Sequence, residues 1–99
     1  MIKIEEINAN QLDEAANILK AIAHPMRIAI LGYLEEGASL TVTEIHEKLK
    51  IEQSATSHHL GILKDKGVLK SRREGKNTYY SLKHETLGQI VKCVTDCTA

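Results

Sequence analysis

Apolar residues recur at intervals of three and four along most of this chain, and the interval changes to two over one short stretch. Leu12, Ala15, Ala16, Leu19, Ile22 and Ala23 predict a first helix within residues 9–24, with Asn10 as its N-cap and Asp13 in the first turn. His24-Pro25 stops that helix, because a residue before proline is pushed out of the helical region. Pro25 then suits the first position of a second helix, which carries Ile28, Ile30, Leu31 and Leu34 inward and ends at Gly37. Thr41-Val42-Thr43-Glu44 has the spacing of a capping box and opens a short third helix with Ile45 and Leu49 inward. A break at Lys50-Ile51-Glu52 leads to a fourth helix at about residues 53 to 65, closed by Gly67. From Val68 the period becomes two, with Leu69, Tyr80 and Leu82 alternating with Lys70, Arg72 and Tyr79. These residues flank Glu74-Gly75-Lys76-Asn77, the pattern of a β-hairpin with a four-residue tip. A last helix at residues 84–97 carries Leu87, Ile90, Val91 and Val94 on one stripe. The expected fold is mainly α with a small β-hairpin, in the order α-α-α-α-β-β-α. Helices three and four form a helix-turn-helix and the hairpin forms a wing, all in one domain over residues 1–99.

Projected at 100° per residue, helix four places Ala55, His59, Ile62 and Leu63 on one side, with Thr56 and Leu60 at the margin. Gln53, Ser54, Ser57, His58, Gly61 and Lys64 fall on the other. A short polar face with a glycine in it can enter a major groove closely. There Gln pairs with adenine, and Ser or Thr serves most bases or a phosphate. An ordinary solvated helix has the same composition, so the neighbouring segment matters. Residues 64–83 hold seven basic side chains (Lys64, Lys66, Lys70, Arg72, Arg73, Lys76, Lys83) against Asp65 and Glu74, on a chain whose 13 basic and 13 acidic residues otherwise cancel. The DNA-binding candidates are therefore Gln53, Ser54, Thr56, Ser57, His58, Lys64, Arg72, Arg73, Lys76 and Asn77, facing a double-stranded DNA operator. The zero net charge suits an alternative, a winged-helix module that binds another protein through the same face and has no useful DNA affinity.

Composition bears on assembly. The 99 residues include 11 Ile, 11 Leu, 4 Val and 9 Ala, but three Tyr and no Phe or Trp. A chain this short buries a limited fraction of its surface, so its aliphatic stripes gain by meeting a twin. Leu12, Ala16 and Leu19 of the first helix, with Leu87, Ile90, Val91 and Val94 of the last, are the expected homodimer interface. A two-fold dimer sets two reading helices about 34 Å apart, to match an imperfect palindrome. No apolar run reaches the ~18–20 residues of a membrane span. The amino-terminal residues do not read as a secretion signal, and two cysteines make no disulfide framework, so a reducing cytoplasm is expected. No Ser/His/Asp or Cys/His set with supporting residues and no phosphate loop points to an enzyme.

Three stretches carry a family resemblance: Ala21-Ile22-Ala23-His24-Pro25-Met26-Arg27-Ile28-Ala29-Ile30-Leu31; Gln53-Ser54-Ala55-Thr56-Ser57-His58-His59-Leu60 through Leu63 to Lys66-Gly67-Val68-Leu69; and Arg72-Arg73-Glu74-Gly75-Lys76 ending in Tyr79-Tyr80-Ser81-Leu82. In order and spacing the chain resembles the ArsR/SmtB family of bacterial winged-helix repressors over about residues 10 to 97. The resemblance implies a homodimer through the first and last helices, helix four as reader, the hairpin as wing, and release from the operator by an inducer.

The family's metal sites transfer poorly. The Cys-x-Cys position at the start of helix three reads Thr41-Val42-Thr43, and hydroxyls are poor ligands for soft metals. The last-helix site begins with Asp and His in the family. Here the matching start is His84-Glu85-Thr86, a later position is Cys97, and the final one falls past residue 99. Cys93 and Cys97, one turn apart, leave three readings open: small apolar packing at the dimer interface, a soft metal or metalloid site with His84 as a further weak candidate, or a thiol switch.

Overall fold

The computed structural model describes residues 3–98. After a 3-10 turn at Ile4–Glu6 come α1 (Ala9–Ile22), α2 (Pro25–Tyr33), β1 (Leu40–Thr41), α3 (Val42–Leu49), α4 (Gln53–Asp65), β2 (Leu69–Glu74), β3 (Asn77–Leu82) and α5 (Leu87–Asp96).

Local chemistry accounts for most boundaries. α1 is capped by Asn8, two residues before the expected Asn10: the Asn8 side chain accepts from the Gln11 amide at 2.8 Å, and the Gln11 side chain accepts from the Asn8 amide at 3.1 Å. That reciprocal box satisfies two amides that a cap at Asn10 would leave open. Pro25 opens α2 as expected, and the His24 imidazole supplies the cap by accepting from the Met26 amide at 3.1 Å. α2 ends at Tyr33, earlier than expected, and the chain turns through positive φ at Glu36 and Gly37. The Thr41–Glu44 capping box of α3 is present on both sides. Gly67, at φ +78°, closes the turn after α4 in a conformation that favours glycine.

The sheet has three antiparallel strands in the order β1-β3-β2, one more than the hairpin alone. β1 pairs Leu40 with Tyr80 and Thr41 with Tyr79, so Thr41 serves both as a strand residue and as the cap of α3. In the hairpin Glu74 pairs with Asn77, so the connection is the two residues Gly75-Lys76 and not a four-residue tip. Gly75 has φ +61°, at the first turn position, where two-residue hairpins favour glycine.

α2 lies at the centre. Its Ile30 and Leu31, and Leu34 just past its end, are fully buried with Ile45 of α3, Leu60 and Leu63 of α4 and Val68, and Leu69 and Leu82 of the sheet close the same cluster. The hydrophobic cluster of buried residues is wholly aliphatic. α5 packs across α2, with Gly88 against Glu35 and Gly32 against Val91. It begins at Leu87, since residues 84–86 form a turn in place of the expected first helical turn. α1 is different. Only Ala21 and Ile22 are buried, with Ile18 partly so, and its first two turns stand free of the core.

Candidate nucleic-acid interface

The helix-turn-helix is α3 and α4 joined through Lys50–Glu52, with Lys50 in the left-handed region at φ 58°. Two residues fix α4 from behind. The Arg27 guanidinium donates through Nε to His59 Nδ1 and through Nη1 to the Ala21 carbonyl, each at 3.1 Å, tying the end of α1 and the start of α2 to α4. Arg27 carries no groove-facing pattern in the sequence. Its signal was a cation in the first turn of a helix, the unfavourable end for the macrodipole, which marks a residue held for another purpose. His59 is half-buried on the core side, as expected, and its ring lies 4.7 Å from that of His24.

The inward stripe of α4 runs through Thr56, Leu60 and Leu63, at i, i+4 and i+7, rather than through Ala55. Ala55 is exposed. Thr56 is fully buried and its hydroxyl donates to the Glu52 carbonyl at 3.1 Å, so it does not belong with the groove-facing candidates. Gln53, Ser54, Ser57, His58, Gly61 and Lys64 are all exposed, and the space where a Gly61 side chain would stand is open.

Beside this face the wing holds Arg72, Arg73, Lys76 and Asn77, all exposed. Arg72 Nε donates to Glu74 at 2.8 Å and its guanidinium lies 5.2 Å from the centre of the Tyr79 ring. Arg73 donates to the Gly75 carbonyl at 3.3 Å, bracing the turn. Tyr80 packs on the core. The wing tip and the helix-turn-helix meet in a cleft of about 180 Å³ that brings Lys76 and Asn77 to Gln53. Thr43 and Thr78 also line it. Their place at the cleft depends on β1 pairing with β3, which no local pattern announces.

The proposed interface residues divide. Leu12, Ala16 and Leu19 of α1 are exposed, and so is Val94 of α5. Leu87 is buried in the chain's own core, with Ile90 and Val91 packed against it, so three of the four α5 stripe residues are already used within one chain. Within the single chain Cys93 and Cys97 are free and exposed, and His84 is exposed. Among the described residues no three His, Cys, Asp or Glu side chains are grouped to hold a metal ion, and no helix is long and apolar enough to cross a membrane.

Burial holds the His59 pKa below the usual 6.5, and His24, Arg27 and His58 add to this as positive neighbours. The Arg27 bond also needs Nδ1 unprotonated. The unfolded chain therefore binds more protons than the fold just below pH 6.5. Stability is complete above that value and is lost as pH falls through the lowered folded pKa. Urea midpoints measured at pH 8 and pH 5.5 are expected to fall on acidification, and to fall less in a His59→Gln variant.

A helix-turn-helix whose exposed polar face adjoins a basic two-stranded wing defines a winged helix-turn-helix DNA-binding regulator. A family model described as a helix-turn-helix domain matches residues 22–72. The transcriptional repressor PagR of Bacillus anthracis is 39% identical over 87 residues, 88% of this chain and 87% of the relative. Its crystal structure superposes with a TM-score of 0.79 at 38% identity, over 88% of this chain and 99% of that one. The transcriptional repressor SmtB homolog of Synechocystis sp. is 30% identical over 95 residues, 96% of this chain and 71% of the relative. The homodimeric winged helix-turn-helix DNA-binding domain of Mb0332 from Mycobacterium bovis matches with a TM-score of 0.79 at 28% identity, over 99% of this chain and 90% of that one. The chain belongs to the ArsR/SmtB family of DNA-binding transcriptional repressors, a family of regulators and not of enzymes.

Proposed function

We propose that residues 1–99 work as one unit, as a homodimeric repressor that reads an imperfect palindrome with α4 and grips the flanking backbone with the wing. The observation that carries this is the uncluttered face of Gln53, Ser54, Ser57, His58, Gly61 and Lys64 set beside exposed Arg72, Arg73, Lys76 and Asn77. The α4 side chains supply base contacts and the wing cations supply phosphate contacts. Dimerisation uses Leu12, Ala16 and Leu19 with the free end of α5 at Val94, which are exposed apolar side chains with no partner in their own chain's core. The homodimeric relative supports this reading. Cys93 and Cys97 are the candidate receiver for the inducer, a soft metal or metalloid ion or a thiol-reactive signal. Both thiols are accessible and lie one helical turn apart.

The wing assignment is tested by salt dependence. Replacing Lys76 with Gln is expected to weaken binding to every duplex alike and to lower the slope of log K against log salt by about 1.8, the value for two phosphate contacts, one on each subunit. An unchanged slope removes Lys76 from the interface.

A further inference from the structure

The wing has a second surface that shares only Arg72 with the proposed DNA-reading face. At its base, away from the Gly75-Lys76 tip, a cleft of about 270 Å³ opens between the α2–β1 connection, the strands β2 and β3 and the segment before α5. Its polar lining is Ser39, Lys70, Arg72, Ser81, Lys83 and Glu85. We propose that this cleft binds a small dianion carrying a terminal phosphate group, either inorganic phosphate or a small phosphate monoester.

Three features converge on that chemistry. The first is charge: three cations face one carboxylate, so the lining suits a ligand of charge about −2, that of a terminal phosphate near neutral pH. Among the described residues neither Lys70 nor Lys83 makes an ion pair. Arg72 uses its Nε for Glu74 and keeps its two terminal nitrogens. The second is register. Lys70 pairs across the strands with Ser81, and Arg72 stands two residues further along β2 on the same face. An ammonium, a guanidinium and a hydroxyl therefore start from adjacent positions on one surface. The third is the Ser39 hydroxyl oxygen, buried at the cleft wall with no hydrogen-bond partner. A buried hydroxyl left unpaired is costly, and an acceptor oxygen in the cleft would relieve it.

Size narrows the class. The volume is below the ~300–1,000 Å³ of pockets for drug-sized ligands, which favours a phosphate on a small body over a nucleotide. None of the proposed dimer residues lines the cleft. Because Lys70 and Arg72 belong to the wing, an occupant lowers the wing's positive charge. That consequence rests on the DNA-binding reading, whereas the site itself does not, so the test contains no DNA.

The full chain, labelled with ¹⁵N, is titrated at ionic strength held constant with chloride. Inorganic phosphate, glycerol 3-phosphate and dimethyl phosphate are the three probes. The expected result is saturable shifts at the Ser39, Lys70, Ser81 and Lys83 amides with at least one of the first two probes, and tenfold or more weaker binding of dimethyl phosphate, the diester that mimics a DNA backbone. Which of the first two binds more tightly identifies the source of the phosphate. The exposed-residue double variant Lys70→Gln/Lys83→Gln keeps the fold and is expected to bind at least tenfold more weakly, and Ser39→Ala at least threefold. Shifts that do not saturate, binding of the diester as tight as the monoester, or either variant binding like the parent overturns the assignment.

Discussion

Replacing Ser57 and His58 together with alanine is expected to abolish specific operator binding while leaving the fold and residual duplex binding in place. Both side chains are exposed on the open face of α4, one residue either side of the line from Ser54 to Gly61, and neither makes a hydrogen bond within the chain among the described residues. Their loss removes no core contact, so thermal stability should stay within about 0.5 kcal/mol of the parent. The binding cost differs in kind. Each base contact is worth about 1–3 kcal/mol, so losing one on each subunit of a dimer costs roughly 2–6 kcal/mol and losing two costs more. Non-specific binding rests on the wing and on phosphates, so its salt dependence should be unchanged. A gel shift comparing the operator with a scrambled duplex reads both quantities. Equal affinity of parent and variant for the operator would remove α4 from the reading role.

The second large effect is expected from Leu12→Glu/Leu19→Glu. These side chains are 45% and 55% exposed on a helix of 14 residues that buries little beyond its last turn. An amphipathic helix left in that condition is not stabilised by its own chain. Two carboxylates on the stripe place like charges across a two-fold interface, where each faces its own copy or a neighbour. Sedimentation should show a dimer for the parent and a monomer for the variant. Operator affinity should fall by about 10²–10⁴, the advantage that linking two half-site contacts supplies. A dimeric variant would shift the interface to α5, around Val94 and the accessible cysteines.

Legibility in the sequence followed how local each cause was. Features set by residues three or four apart were readable: the His24-Pro25 break, the Thr41–Glu44 box, the glycine after α4 and the limits of α4 itself. Even so, α1 had two nearby asparagines, and only the position of Gln11 relative to Asn8 decides between them. Features set by distant partners were not readable. β1 is two residues long, too short to show alternation, and exists because β3 passes beside it. Thr56 looks like a polar surface residue until its hydroxyl is seen bonded one turn back to Glu52, which lets it occupy the core. The α5 stripe has one period but two destinations, with Leu87, Ile90 and Val91 turned to the core and Val94 left free. The polar face of α4 was nearly complete from projection alone, but its link to the start of α2 through Arg27 and His59 spans 32 residues and needs the fold.

The neutral net charge has a related meaning. The excess of base lies between Lys64 and Lys83, and the structure places it on the wing and the end of α4. A chain without a strong overall field holds arbitrary DNA weakly, so in the proposed dimer discrimination comes from placing two reading helices at a fixed separation. Selection of bound duplexes from a random pool by the full chain tests this most directly. Enrichment of an imperfect palindrome is expected, with half-sites about 10–10.5 base pairs apart, centre to centre, and with that enrichment lost in Ser57→Ala/His58→Ala. A pool that shows no enriched sequence, or a single half-site without symmetry, would contradict it.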